Sequence, residues 1–313
     1  MADALLSPAV AAAMYGCSGT TAALSLRQLK KEEDASRPAL MAVTSALVFA
    51  GQMVNYTIPG TGSSGHICGG MLLSAILGPQ AGFLSMTVIL TIQCLLFADG
   101  GLMALGANCW NMAFYGCFIG YYLFWRPLTE GKCTRGRIVA ASVLGCVVSL
   151  QLGAFSVVLE TCLSGVSELP LGAFCVLMQP IHLVIGAVEG LVTAAVLLFL
   201  RQARPALLHL ASAPQPSRCT AKTTLAVLGI AALFVGGGLS LLASRYPDGL
   251  EWALSAQGFA AAEEPRAALF PDYGFSHSDS AVGTSVAGLV GSLAVAAAAV
   301  LICLLGRFFR KKK

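Results

Sequence analysis

The sequence is short of charge. Only 11% of its 313 residues are Asp, Glu, Lys or Arg, whereas 57% are hydrophobic, and the mean hydropathy is +0.78. A soluble domain carries about 25% charged residues, so a water-soluble globular fold is excluded. The net charge of +4 is small and comes from basic clusters of the kind that orient membrane proteins. We therefore predict an all-α polytopic membrane protein in contact with lipid, without a nucleic-acid partner.

Several sequence motifs of enzymes and of ATP-driven or ion-coupled transporters are also missing. No G-x-x-x-x-G-K-[ST] occurs, so ATP hydrolysis by this chain is not predicted. No histidine lies in an H-E-x-x-H context, which argues against an intramembrane metalloprotease. The eleven cysteines include no C-x-x-C pair, so we predict no disulfide framework. No internal repeat of the kind seen in ion-coupled carriers is visible.

What the chain has instead is a series of apolar runs, each predicted to cross the bilayer. The nine runs are 8–26, 38–56, 66–78, 80–97, 102–124, 138–159, 173–200, 223–243 and 284–306. The third is shorter than the roughly 17–25 residues of a full span. We count it because the basic clusters around 27–37 and 126–137 should both be cytoplasmic, which requires an even number of crossings between them. The N-terminus is then expected outside and the C-terminus in the cytoplasm.

A glycine-rich loop at residues 57–66 falls on the outer face in this topology. Gly60, Gly62 and Gly65 spell G-x-G-x-x-G, a weak dinucleotide motif that needs a strand before it and a helix after it in a βαβ unit. A nucleotide site belongs in the cytoplasm, so no bound nucleotide is predicted. The alternative is that glycine, which accepts unusual backbone conformations, lets this loop fold closely around His66.

A change in composition divides the chain into two domains. Residues 201–222 are rich in Pro, Ser and basic residues and are predicted to be a cytoplasmic linker. It separates a seven-span domain, 1–200, from a two-span domain, 223–313. The second domain contains an acidic outer segment, 244–283, which is expected to attract cations.

Two stretches carry a specific resemblance to a known family. "PGTGSSGHICGGMLLSAILGP" (59–79) followed by "QCLLFADGGLMALGANCWNMAFYGC" (93–117) resembles the CbiM/NikM substrate-binding membrane components of cobalt and nickel energy-coupling-factor transporters. "SRYPDGLEWAL" (244–254) is similar to the small NikN/PDGLE-type companion, here fused. The resemblance implies uptake of Ni²⁺ or Co²⁺ with a separate transmembrane coupling subunit and cytoplasmic ATPase subunits, in the cell membrane.

The resemblance implies that His66 is a metal ligand, and its imidazole suits divalent first-row metals. It also implies a clasp by the N-terminal amine, here Met1. Members of that family begin Met-His, whereas this chain begins Met1-Ala2-Asp3, so one expectation is that Met-His precedes Met1 and another is that Asp3 contributes. Cys68 is a further alternative ligand, although packing in an apolar helix is the expectation we favour for its thiol.

Other polar residues are expected to support the site or the ion pathway. Ionisable or amide groups inside a membrane are costly without partners and mark functional positions. They could orient the metal loop, line a path for the ion, or satisfy broken helix ends. These residues are Ser63, Ser64, Asp99, Asn108, Asn111, His182 and Glu189.

The predicted function is capture of a divalent transition metal at the outer face for ATP-driven uptake. Nickel is favoured over cobalt because Ni²⁺ binds nitrogen ligands more tightly and because the fused tail and the "GTGSSGH" loop resemble the nickel branch. A self-sufficient ion-coupled carrier and an intramembrane metalloenzyme are the alternatives. Deletion of residues 215–313 is expected to leave metal binding but to lower transport.

Overall fold

The computed structural model describes residues 1–30, 36–131, 133–166, 170–208, 219–259, 268–275 and 280–308. These residues form eleven helices and one two-stranded hairpin. The helices are α1 Pro8–Leu29, α2 Arg37–Gln52, α3 Gly70–Leu77, α4 Pro79–Leu96, α5 (Leu105–Asn108, continuing as the π-helical Cys109–Trp125), α6 Arg126–Thr129, α7 Arg135–Ser164, α8 Leu171–Ala203, α9 Ala221–Gly237, α10 Gly249–Ala256 and α11 Ala281–Phe308. The strands are β1 Tyr56–Ile58 and β2 Ser63–Gly65.

Some of the sequence features lie outside the described residues. Parts of the predicted linker 201–222 and of the outer segment 244–283 are among them. Seven residues of the basic clusters also lie outside the described residues: Lys31, Lys132, Arg218 and the four residues Arg310 to Lys313.

Helices long and apolar enough to cross a membrane confirm the all-α polytopic prediction. Among the described residues there are six of them: α1, α4, α7, α8, α9 with the turn that follows it to Leu242, and α11 as far as Leu305. Large apolar side chains such as Leu163 and Val176 are more than 70% exposed, which suits lipid rather than water. The count of nine spans and the orientation of the termini stay predictions.

The region between α2 and α4 differs from the predicted boundaries. The run 38–56 ends as a helix at Gln52, and the run 66–78 becomes helical only at Gly70. With eight residues α3 is about 12 Å long, too short to span a bilayer alone. The Arg37 side chain donates to the carbonyl of Leu77, so α3 ends beside the start of α2. The extended residues that precede α3, together with α3 itself, therefore run back along α2.

Glycines on α8 bring this helix unusually close to α7. A Cβ on Gly186 would lie 2.8 Å from Cα of Val147, and one on Gly190 would lie 2.5 Å from Cα of Val143. Small residues permit this backbone approach in membrane helix pairs. Glu189 stands between the two glycines and is only 1% exposed, so the close packing fixes a carboxylate inside the bundle.

The C-terminal helices pack on the first domain rather than apart from it. Both α9 and α11 contact α2 and each other. A Cβ on Gly288 would lie 1.9 Å from the carbonyl oxygen of Gly236, and one on Gly291 would lie 2.2 Å from the Phe49 ring. Residues 244–247, which follow α9, lie next to the β1–β2 hairpin.

Candidate metal site

The glycine-rich loop forms the turn of the β1–β2 hairpin. The strands are antiparallel, with Tyr56 opposite Gly65 and Ile58 opposite Ser63. Gly60 and Gly62 in the turn have φ of 81° and 76°, a conformation that glycine adopts without strain. The loop therefore closes an antiparallel hairpin and lacks the βαβ setting of a dinucleotide site.

The ring of His66 is oriented by its own backbone. Its Nδ1 lies 3.0 Å from the carbonyl oxygen of Ile67, and since a carbonyl only accepts, Nδ1 carries the hydrogen. The lone pair then resides on Nε2. A backbone carbonyl on the second ring nitrogen is the usual support for a metal-binding histidine. His66 lines a cavity of about 780 Å³ in the bundle.

A buried carboxylate holds the backbone after His66. Oε2 of Glu189 accepts from the amide of Cys68 at 2.7 Å, and Oε1 accepts from the amide of Gly69 at 2.9 Å. On the other side, Nε2 of Gln52 donates to the carbonyl of Cys68 at 2.7 Å. The Cys68 thiol donates to the carbonyl of Met112 at 3.2 Å. Buried hydrogen bonds thus satisfy a non-helical stretch within the bundle.

His182 occupies the same cavity but has a different partner. Its Nδ1 lies 2.8 Å from the carbonyl of Met178 on its own helix, which again leaves the lone pair on Nε2. Glu189, two turns along α8, hydrogen-bonds the His66 loop instead. The pair therefore does not act as one unit: Glu189 supports the loop, and His182 presents a second imidazole to the cavity.

The N-terminal residues are held against the loop that follows α4, where Met1 lines the cavity. The Met1 carbonyl accepts from the amide of Gly101 at 3.0 Å and from Nδ2 of Asn108 at 3.2 Å. Asp3 accepts from the amides of Leu102 and Ala104 at 3.1 and 2.8 Å. The carboxylate of Asp3 thus anchors the chain end, and Met1 lines the cavity with His66.

The remaining predicted residues divide between the cavity wall and the loop. Asn111 lines the cavity and donates to Oε2 of Glu160 at 2.7 Å. Asp99, at the cavity edge, accepts from the hydroxyl of Tyr273. The Ser63 hydroxyl lies 2.8 Å from that of Thr61 and stabilises the turn.

Ser64 connects the hairpin to the C-terminal domain. Its amide donates to the carbonyl of Pro247 at 2.7 Å, and its hydroxyl donates to the carbonyl of Tyr246 at 2.8 Å. Farther along, the amide of Ser244 donates to the carbonyl of Asn55 at 2.8 Å. Residues 244–247 therefore lie alongside the hairpin, in the manner of an added strand.

The sequence P-D-G-L-E at 247–251 has a physical explanation at this contact. Asp248 and Glu251 form a capping box that starts α10. A Cβ on Gly249 would lie 2.8 Å from Cγ2 of Ile181 and 3.3 Å from Cε1 of His182, so glycine lets α10 rest directly on α8. Asp248 and Leu250 line the cavity. The motif therefore covers the cavity beside His182.

Within the described residues, no three His, Cys, Asp or Glu side chains lie close enough together to hold a metal ion. A complete ligand set built around His66 would need nitrogen atoms of the backbone or of the N-terminal amine. Met1 is the terminal residue that shares the cavity.

Sequence reasoning missed several residues of this arrangement. Gln52 and Gln93, both about 5% exposed or less, hydrogen-bond each other below the loop, and Glu160 pairs with Asn111. Gln52 and Gln93 are polar groups inside apolar runs, and Glu160 directly follows one, so the costly burial of such groups in a membrane was the available signal. The contacts of Tyr246 and Pro247 use main-chain carbonyls and leave no mark on the sequence.

Comparisons with known proteins agree with this picture. Residues 1–207 match the family described as cobalt uptake substrate-specific transmembrane region, and residues 222–307 match the PDGLE domain. The chain is 36% identical over 299 residues to a putative fused nickel transport protein NikMN of Archaeoglobus fulgidus, covering 94% of this chain and 95% of that protein.

Two further relatives extend the comparison. A probable fused nickel transport protein LarMN of Lactiplantibacillus plantarum is 31% identical over 332 residues, covering 97% and 94% of the two chains. A crystal structure of a truncated transition metal transporter superposes with a TM-score of 0.56 at 31% identity, covering 64% of this chain and 97% of that one. The chain therefore belongs to the CbiM family, whose named members include nickel and cobalt transport proteins, as a multi-pass membrane protein with a fused PDGLE domain.

Proposed function

We propose that this protein captures Ni²⁺, in preference to Co²⁺, at the outer face of the cell membrane and holds it for ATP-driven uptake. The observation that carries this proposal is the arrangement of His66 and Met1 around one cavity. Nε2 of His66 and the amine of Met1, with nearby backbone nitrogen, would supply the ligands. The cation is the substrate, and no nucleotide is bound by this chain.

The preference for nickel follows from the donor atoms. Amine, amide and imidazole nitrogens favour Ni²⁺ over Co²⁺ in intrinsic affinity. The two fused relatives described above, which cover nearly the whole chain, are both named as nickel transport proteins, and the cobalt names occur among shorter matches. Titration of the purified protein with both metals is expected to give the lower Kd for Ni²⁺.

Separate subunits would energise transport. A transmembrane coupling subunit and cytoplasmic ATPase subunits are the partners that we infer, because the chain contains no P-loop sequence. We expect cells to accumulate Ni²⁺ only when this protein is expressed together with both kinds of subunit. ATPase subunits without their catalytic activity provide the control. Uptake that is independent of ATP hydrolysis would instead identify a self-sufficient carrier.

We assign residues 1–200 to metal binding and 223–313 to an accessory domain that covers the site. The cover is formed where 244–247 lies on the hairpin and α10 rests on α8. Covering a site excludes water and slows escape of the ion. Deletion of residues 215–313 should therefore leave a site that still binds the metal, although more weakly, with faster release and lower transport.

A point substitution separates the cover from the rest of the domain. Gly249→Val would place side-chain carbons against Ile181 and His182, lifting α10 off α8. We expect metal release to become about five-fold faster, measured by stopped-flow exchange into a chelator. Gly229→Ala is the matched control because a Cβ at that glycine of α9 meets nothing within 4 Å. Unchanged release in Gly249→Val would contradict a covering role.

A further inference from the structure

A short strap in the C-terminal domain docks at the end of α4. We define the strap as residues 270–273. The amide of Phe270 donates to the carbonyl of Leu96 at 2.9 Å, and that of Asp272 donates to the carbonyl of Phe97 at 3.2 Å. The Tyr273 ring stacks on Phe97 with centroids 4.8 Å apart. The strap is therefore attached to the first domain through both main chain and side chain.

The strap holds two consecutive residues in a strained conformation. Asp272 and Tyr273 have φ of 50° and 58°, in the left-handed region that side chains other than glycine rarely adopt. Such residues are strained and persist only where the surroundings enforce them. Here the conformation directs the Tyr273 hydroxyl to Asp99, and burial next to that carboxylate raises the pKa of the tyrosine well above its usual value. Tyr273 is thus a neutral donor at this site.

A continuous hydrogen-bond chain runs from the strap to the metal loop. The Tyr273 hydroxyl donates to the carboxylate of Asp99, and the amide of Asp99 donates to the carbonyl of Gln93 at 3.2 Å. Nε2 of Gln93 donates to Oε1 of Gln52 at 2.9 Å, and Nε2 of Gln52 donates to the carbonyl of Cys68 at 2.7 Å. Cys68 is two residues after His66. The hydrogen-bond chain therefore joins a residue of the C-terminal domain to the backbone of the metal loop.

Both glutamines are buried, at 4% and 5% exposure. A buried amide that loses a hydrogen-bond partner is destabilising, so a shift at one end of this hydrogen-bond chain is transmitted to the other end as unsatisfied hydrogen bonds. Apolar side chains at positions 52 and 93 would fill the space without linking the two ends. The link differs from the cover described above, since the strap meets α4 and the cover meets the hairpin and α8.

We propose that Tyr273 is a positioning residue for metal binding, acting on the His66 loop through Gln93 and Gln52. With the strap docked, the hydrogen-bond chain fixes the position of the Cys68 carbonyl and hence the direction in which the loop presents His66. Because coupling between two sites is reciprocal, bound metal also stabilises the docked strap. This inference rests on the proposed role of His66 as a ligand.

A double-mutant cycle on the full-length protein tests the link. Tyr273→Phe removes only the hydroxyl, and Gln52→Leu removes the amide. Each is expected to weaken Ni²⁺ binding five- to tenfold, and the double variant to be about tenfold weaker, rather than the 25- to 100-fold that independent effects would give. Tyr122→Phe is the matched control, because Tyr122 is 42% exposed on α5, away from the cavity lining, and its hydroxyl contacts the side chain of Gln80, at 3.4 Å. Its Kd should be unchanged.

Hydrogen exchange provides a readout that a simple packing role would not affect. In the unaltered protein, Ni²⁺ is expected to slow amide exchange in residues 268–275. In Gln52→Leu, with Ni²⁺ at saturating concentration, that protection should disappear although the metal is bound. Persistent protection in Gln52→Leu, or additive effects in the cycle, would overturn the proposal.

The outcomes also separate this inference from the proposed function. If His66→Ala destroys binding while Tyr273→Phe binds as tightly as the parent, only the link through Gln93 and Gln52 is wrong. If His66→Ala binds normally, the metal site itself has been misassigned. Exchange measurements on the unaltered protein need no variant, so misfolding of a substituted chain cannot obscure the result.

Discussion

His66→Ala is expected to weaken Ni²⁺ binding at least a hundredfold while the protein stays folded. The substitution removes the imidazole whose Nδ1 is held by the Ile67 carbonyl, and with it the nitrogen ligand at Nε2. A hundredfold loss corresponds to about 2.7 kcal/mol, a modest figure for one ligand of three or four. The fold should persist because Glu189 and Gln52 hold the backbone of the loop, not its imidazole. Calorimetric titration with Ni²⁺ measures the effect, and thermal unfolding checks the fold.

Cys68→Ala is the matched control in the same loop. The Cys68 thiol donates to the Met112 carbonyl, so its loss removes one weak hydrogen bond and no proposed ligand. We expect its Kd to stay within threefold of the parent. If instead Cys68→Ala loses binding and His66→Ala retains it, the metal is held by the thiolate and the assignment of His66 is wrong.

The sequence predicted the helical membrane fold because lipid leaves the chain few options. A long apolar run in a bilayer must satisfy its backbone internally, so each such run predicts a helix. The boundaries near the site were less accurate for the same reason. Residues 66–69 are apolar enough to extend a helical run, yet Glu189 and Gln52 satisfy part of their backbone instead. Hydropathy cannot distinguish those two ways of pairing an amide.

The candidate site was predictable in its polar residues and not in its contacts. Glu189 could be selected because polar side chains in apolar surroundings are expensive, and His66 because imidazole suits divalent metals and its loop carries the family resemblance. Which of them meet depends on helix packing, such as the approach of α8 to α7 at Gly186 and Gly190. The docking of the C-terminal domain on Ser64 uses the carbonyls of residues 246 and 247, and every residue type carries that group. No pattern of side chains could have revealed it.

The second large effect is expected from adding Met-His in front of Met1. The structure fixes the point from which such an extension would start. The Met1 carbonyl is bound by Gly101 and Asn108, and Asp3 is bound by two amides of the same loop. Residues placed before Met1 would therefore enter the cavity of about 780 Å³ that His66 also lines.

The extension changes the ligands that the chain end can offer. With Met1 first, the clasp comprises an amine and nearby backbone, without an imidazole. With Met-His in front, the new amine, the backbone nitrogen of the added histidine and its imidazole can form fused chelate rings, and Nε2 of His66 completes four nitrogens around the ion. Such a set suits the tetragonal geometry of Ni²⁺. We expect the Kd for Ni²⁺ to fall at least a hundredfold, about 2.7 kcal/mol.

Two controls identify the atoms that are responsible for the gain in Ni²⁺ affinity. A Met-Ala extension has the same length and no imidazole, so its affinity should stay close to that of the parent. Acetylation of the new amine in the Met-His protein should reverse the gain, because an acetylated nitrogen is no longer a basic donor. The extended protein should also acquire the visible absorption of a four-nitrogen Ni²⁺ complex. Equal affinities for the Met-His and Met-Ala proteins would show that the ligands beside His66 come from elsewhere in the cavity. His182, whose Nε2 carries the lone pair, would then be the next residue to substitute.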